Sequence, residues 1–312
     1  DRGMRNAFAD ELTTLANSDE RVVLLSGDIG NRLFDTFKSV ADSRFYNCGI
    51  AEANMMGVAA GMALSGLRPF VYTITPFTTT RCFEQIRVDV CYHKAPVVIV
   101  GTGSGLSYAE LGATHHSLED LAIMRTLPGM NIYAPCDTTE LRLIMREVMQ
   151  NNAPAYIRIG KKGELDIHST PPALKSGKAI VVHPGEQVAL LAVGNMVAET
   201  LQAAELLAWQ GVAAEVVSFH TVKPLDAEYL AQARERFSLL VTVEEHSRIG
   251  GFGSAVGEWS VAEGCRVPLL SLGTADEFMH EVGHQAYARK RYGLTAGHIA
   301  AQVLSRLNQQ KS

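Results

Sequence analysis

Short β-branched and aromatic runs alternate along this chain with stretches whose apolar side chains recur every three or four positions. Ala7, Phe8, Leu12 and Leu15 have helical spacing, and RVVLLSGD follows as an apolar run that stops at Gly-Asp. The alternation continues through FYNC, a helix over 51–64, FVYTI, a helix over 79–92, PVVIVG, NIYAP, a helix over 138–149 and AYIRI. Apolar strands alternating with helices predict a doubly wound α/β fold, a parallel sheet covered on both faces.

After Arg158 the texture changes. GKKGELDIHSTPPALKSGK is polar, carries two prolines and shows no periodicity, as a linker does. A second series follows: AIVV, VALLAV, a helix over 196–210, AAEVVSF, a helix near 226–236, SLLVTVEE, a helix from about 252, VPLLSL and a helix over 295–309. The expected organisation is two α/β domains, 1–168 and a smaller 177–312, with no internal repeat. In open parallel sheets ligands gather beyond the carboxyl ends of strands, which points to Asp28, residues 49–52 and 75–77, the loop 101–116, and Arg158.

Composition narrows the function. No apolar run in the 312 residues approaches the ~18 to 20 that a membrane span requires. The N-terminal DRGMRNAFADEL lacks the basic-then-apolar order of a secretory signal, so a cytoplasmic location is expected. A net charge of −5, with no basic run longer than ARKR, argues against nucleic acid as partner. The five cysteines never form CxxC, which argues against a disulfide framework or a zinc knuckle and leaves reduced, mostly buried thiols. A small molecule is the expected ligand.

HEVGH at 280–284 matches the HExxH pattern of zinc proteases, but Gly283 weakens the required helix and no acidic ligand follows Glu281, so a surface turn is expected. GTGSG at 101–105 has Leu106 where a dinucleotide loop needs its last glycine. GGFGS at 250–254 reads as a turn that lets helix and sheet pack closely, and no P-loop is present.

One carboxylate stands out. In YNCGIAEANMMGVAAGMALSGLRPFV, residues 46–71, Glu52 opens a helix of small and apolar residues with nothing basic nearby in sequence to pair with it. An acid in a first turn is ordinarily a partner for the helix dipole. The residues from Ala53 to Gly61 do not form an amphipathic set, however, and a helix buried on nearly all sides is expected. Desolvation then favours the neutral acid and the dipole favours the charged one, and a dry acid at a strand terminus is suited to proton transfer.

NCGIAEANMMGVAAGMALSGLRPFV resembles the acid-helix segment of the pyrimidine-binding domain of transketolases and deoxyxylulose-phosphate synthases, including their split, two-subunit versions. TPFTTTRCFEQIRVDV, GATHHSLEDLAIMRTLPGMNIYAPCD, AYIRIGKKG, EEHSRIGGFGS and YGLTAGHI are similar to further segments of that family in the same order, over nearly the whole chain. The resemblance implies a pyrimidine-binding domain, a transketolase C-terminal domain, and thiamine diphosphate as cofactor. Glu52 then matches the acid that hydrogen-bonds the aminopyrimidine and promotes deprotonation of the thiazolium carbon that attacks a ketose. Phe77 falls where an aromatic ring meets the pyrimidine, Arg81 and Phe83 line the same wall, and Asp28 lies near the cofactor and the subunit contact. His115 corresponds to a substrate-side histidine, and Arg158 and Arg5 to arginines that grip the substrate phosphate.

Leu111 replaces an aspartate of sugar-phosphate transketolases, Gly103 a histidine, and Arg32 a phosphate-contacting serine. A modified sugar is the expectation that follows. The family's GDG motif, with Asn about 25 to 30 residues on, holds Mg2+ and the diphosphate through oxygen ligands. It is absent here, SGDIGN at 26–31 being a partial echo. The resemblance therefore implies an N-terminal partner subunit that supplies the metal site, an α2β2 heterotetramer, and a buried contact on the small-residue face of helix 53–64. The alternatives are the β subunit of a 2-oxo acid dehydrogenase-like enzyme and a non-catalytic relative.

Overall fold

The computed structural model describes residues 3–311; residues 1, 2 and 312, at the ends of the two expected domains, lie outside the described residues. Twelve strands are formed among the described residues: β1 (Val22–Ser26), β2 (Phe45–Asn47), β3 (Arg68–Ile74), β4 (Val98–Thr102), β5 (Asn131–Tyr133), β6 (Ala155–Ile159), β7 (Ile180–His183), β8 (Val188–Ala192), β9 (Ala214–Ser218), β10 (Thr221–Lys223), β11 (Leu239–Ser247) and β12 (Leu269–Thr274). They build a seven-stranded sheet in the order β10-β5-β6-β4-β3-β1-β2 and a five-stranded sheet in the order β12-β11-β8-β9-β7. Pairing is parallel except at two edges, β10 against β5 and β7 against β9. The chain is thus two doubly wound α/β units, as the strand–helix alternation predicts.

Every residue of β1, β3, β4 and β6 is buried, which explains why these strands read as unbroken apolar runs. One apolar cluster runs from Val23, Met55 and Ile99 of the first unit to Phe219, Leu230 and Phe252 of the second. β10 strengthens the junction, because it follows β9 of the second sheet and pairs with β5 of the first.

Two departures from the expected helices have local causes. The helix expected over 79–92 breaks into short turns ending in a π-helix, Ile86–Tyr92. Thr78 and Thr79 turn their hydroxyls back onto the Thr75 carbonyl at 3.1 and 2.7 Å, and Thr80 onto Pro76 at 2.8 Å, so side chains compete with the backbone ladder. The helix Glu52–Leu64 is not buried all round: Asn54, Val58, Gly61 and Leu64 leave an exposed stripe. HEVGH is an exposed segment without helix, and Glu281 pairs with Arg291.

Candidate active site

Glu52 is the first residue of the helix Glu52–Leu64 and only 4% exposed. The loops after β1 and β2 hold it in place: Cys48 N donates to Ser26 O at 2.8 Å and Asp28 N to Gly49 O at 2.8 Å. Asp28 itself is exposed and accepts a bond from Asn47 Nδ2 at 3.0 Å. Glu52 Oε1 takes the Arg81 guanidinium at 3.1 Å, so the acid has a basic partner that lies 29 residues away in sequence. Its Oε2 is buried and bonded to nothing among the described residues. Leaving a buried acceptor unmet costs about 1–3 kcal/mol, which a donor entering the pocket would recover.

Arg81 also lies over the ring of Phe77, its Cζ 3.8 Å from the centroid. Phe77 meets His115 edge-on at 5.3 Å, and His115 meets Tyr108 at 6.0 Å. His115 Nδ1 sits 2.9 Å from Thr114 Oγ1. Burial, and then the charge of Arg81, hold the imidazole below its ordinary pKa, so it is neutral at pH 7. Glu52, Arg81, Phe77 and His115, far apart in sequence, thus form one contiguous row. Phe83 instead packs half-buried against the cluster containing Met55, Met56 and Ile86.

Tyr108 is a site residue that sequence reasoning missed. Gly103 stands at φ +78°, and a Cβ there would lie 2.0 Å from the Tyr108 ring. The position where the resemblance expects a histidine is therefore closed to any side chain, because the tyrosine ring already fills that space. Leu111, at the expected aspartate position, is 49% exposed.

A second group of cations lies nearby. Arg5, Arg32, Lys161 and Lys162, with Asn6, Gly30 and Leu33, line an open cleft of about 670 Å³. Arg5 is steadied by the Tyr72 hydroxyl at 3.2 Å, and Lys161 lies 4.4 Å over the Tyr108 ring and pairs with Glu110. Lys161 and Lys162 were not among the expected anion contacts, although they lie just past the carboxyl end of β6.

Arg158 does not line that cleft. It is 3% exposed, and its guanidinium binds Asp120 at 2.7 and 3.2 Å, the Ser117 carbonyl at 2.9 Å and the Glu245 carbonyl at 2.8 Å. Arg158 thus joins the two units, its guanidinium taken up by Asp120, Ser117 and Glu245. Glu245 completes the junction by accepting Leu106 N at 2.7 Å and pairing with Arg289.

Residues 2–163 match the transketolase pyrimidine-binding domain and residues 177–299 the transketolase C-terminal domain. The chain belongs to the transketolase family. It is 39% identical to the 6-deoxy-6-sulfo-D-fructose transketolase subunit SqwH of a Clostridium species, over 98% of this chain and 95% of that one. It is 36% identical to an apulose-4-phosphate transketolase subunit of Phocaeicola vulgatus, over 93% of each. A solved split gene transketolase, an inactive beta4 tetramer, superposes with a TM-score of 0.89 at 35% identity over 98% of both chains. Against 1-deoxy-D-xylulose-5-phosphate synthases the chain spans about half their length, 45% of the Heliobacterium modesticaldum enzyme at 34% identity. This chain is a transketolase-type subunit of the split kind, in a thiamine-dependent family. No helix among the described residues is long and apolar enough to cross a membrane.

Proposed function

We propose that this chain is the C-terminal half of a thiamine-diphosphate-dependent transketolase that moves a two-carbon ketol unit between sugars bearing a terminal anion. The single observation that carries the reading is Glu52, with one carboxylate oxygen held by Arg81 and the other buried without a partner among the described residues. That pocket suits the aminopyrimidine: the Glu52 carboxyl would share a proton with its ring nitrogen through Oε2, and Phe77 would support its face. When bound, the coenzyme supplies the carbon nucleophile that takes up the ketol unit. Glu52 holds the proton at the ring nitrogen, its apolar helix keeps water away, and neutral His115 exchanges protons with a sugar hydroxyl. The exposed Asp28 lies where the subunit contact is expected.

The cleft of Arg5, Arg32, Lys161 and Lys162 suits the terminal anion, a role moved from Arg158 to the cations of an open cleft. Tyr108 takes the space of the missing histidine and fixes a different hydroxyl contact. Two similar proteins are named for a sulfonated and a phosphorylated sugar, which supports an anionic substrate. Magnesium and diphosphate ligands are assigned to a partner subunit bearing GDG and Asn. An α2β2 assembly covers the exposed apolar stripe of Val58 and Leu64 and the neighbouring Ile50. The domain boundary falls between residues 168 and 177, and the working compartment is the cytoplasm.

Co-expression with an encoded GDG-bearing neighbour tests this. Thiamine-dependent transfer from a phosphate- or sulfonate-terminated ketose, well above that from a neutral ketose, is expected, with Arg32→Ser raising KM for the anionic donor about tenfold. Equal use of neutral and anionic ketoses would remove the anion reading, and no transfer at all the enzymatic one.

A further inference from the structure

Far from Glu52, a cluster of metal-ligating groups ties the linker to the first unit. Cys136 Sγ, a carboxylate oxygen of Asp137 and a ring nitrogen of His168 all lie within 4.8 Å of one another. Cys136 and Asp137 precede the helix Thr138–Met149, and His168 comes from the segment joining the two units.

The geometry suits a metal ion. Cys136 Sγ and His168 Nε2 are 3.9 Å apart. Sulfur at ~2.3 Å and nitrogen at ~2.1 Å from a tetrahedral zinc ion would be about 3.6 Å apart. Glu140 Oε1, 3.0 Å from the same Nε2, offers a fourth donor. Asp137 is held rigid as the helix cap: Oδ1 accepts Glu140 N at 2.8 Å and Oδ2 accepts Ile167 N and His168 N, each at 2.9 Å. Oδ1 with its single bond keeps a lone pair. Glu140 Oε2 accepts Cys136 N at 2.7 Å, so the second carboxylate is oriented as well.

A second, independent sign is His220. Its ring is fully buried within reach of the Glu140 and His168 charges, and its Nε2 bonds to nothing among the described residues, while Nδ1 is met by Thr221 Oγ1 at 2.9 Å. Two carboxylates and a thiol carry three negative charges once the thiol is ionised. A dication offsets two of them. Cys136 also lines a cleft of about 240 Å³ with Leu165 and Asn195, which opens a path from solvent.

We infer that Cys136, His168, Asp137 and Glu140 form a binding site for a zinc-type divalent cation that staples the linker to the first unit. Binding displaces the thiol proton of Cys136 and the proton His168 shares with Glu140 into solvent, and sulfur and nitrogen donate to the metal. A thiolate with imidazole and carboxylates selects zinc over magnesium or calcium. Unlike the magnesium assigned to the partner, this ion lies wholly within the present chain.

The 312-residue chain, saturated with Zn2+ and freed of excess by gel filtration, should retain about one zinc by elemental analysis. Cys136→Ser and His168→Gln should each lose it, while Cys265→Ser should keep it. Cobalt loading should give a thiolate-to-metal absorption band in the near ultraviolet that Cys136→Ser abolishes without changing the circular dichroism. Wild-type protein that retains no more zinc than Cys136→Ser, or a cobalt spectrum identical in both, overturns the site and leaves His168–Glu140 as an ordinary ion pair. Neither readout depends on transketolase turnover.

Discussion

Arg81 lies flat over Phe77 at 3.8 Å and from there reaches Glu52 at 3.1 Å, so one guanidinium joins the aromatic wall of the pocket to its acid. The arginine side chain is 47% exposed and the acid 3%, so Arg81 forms the solvent-facing cover of a dry carboxylate.

Arg81→Ala should destabilise the fold by about 1–3 kcal/mol, because it leaves Glu52 Oε1 buried without its donor. Turnover of the reconstituted enzyme should fall about tenfold or more as Glu52 loses its orientation. Urea unfolding and steady-state kinetics check both. A variant that unfolds but turns over normally in its folded fraction would make Arg81 merely structural.

His115 gives an independent view of the same arginine. Burial and the Arg81 charge together hold its pKa down, so removing the charge should move the imidazole titration upward, toward its ordinary 6.5. Its ring-proton chemical shifts followed against pH in wild type and Arg81→Ala measure this. An unchanged midpoint would show that burial alone sets the value.

Much of this arrangement was legible in the sequence, and the failures share a cause. Strands buried on both faces announce themselves as apolar runs, and Glu52 was conspicuous because its neighbours are small and apolar. What a sequence pattern lacks is the partner across space. Arg81 is 29 residues from Glu52, and Asp120 is 38 residues from Arg158, so neither pair could be read from spacing. β10 was invisible because three residues carry no period and its partner strand belongs to the other unit. Tyr108 went unnoticed because the ring fills space that only the missing Cβ of Gly103 leaves open.

The role of Arg158 in joining the two units has its own test. Arg158→Met leaves the Asp120 carboxylate buried without its cation, and loss of one partner of a buried pair costs about 3–5 kcal/mol. Urea unfolding should show that loss, with KM for the anionic sugar unchanged in the folded fraction. A stable variant with a raised KM would return Arg158 to the substrate.

Two buried groups in the second unit should give opposing pH dependences. Burial pushes Glu244 up to about 7, against the amides of Gly253 and Phe252, and pushes His246 down to about 4. His246 is kept neutral by geometry as well: Nδ1 donates to Ser247 O at 2.7 Å and Nε2 faces Ala122 N at 3.3 Å. As pH falls from about 6.5 towards 4 the unfolded chain takes up the histidine proton first, so stability from His246 is lost. Glu244 acts in the reverse direction, because the folded chain keeps the acid's proton and that stability is lost as pH rises from about 4.5 through 7. Each effect is on the order of 3 kcal/mol. Wild-type stability should be nearly flat with respect to these two groups, and Glu244→Gln should add a decline below about pH 6.5. Parallel pH profiles of urea midpoints in the two proteins would contradict it.

The account rests on a dry carboxylate at position 52 that serves a ring nitrogen of thiamine diphosphate bound between two subunits. Its most direct test is kcat of the two-subunit enzyme reconstituted with Glu52→Gln. The substitution keeps size and polarity but removes the acidic proton. A fall of about 10²- to 10⁴-fold, with assembly intact by gel filtration, is the predicted result. Wild-type turnover in that variant would contradict the account.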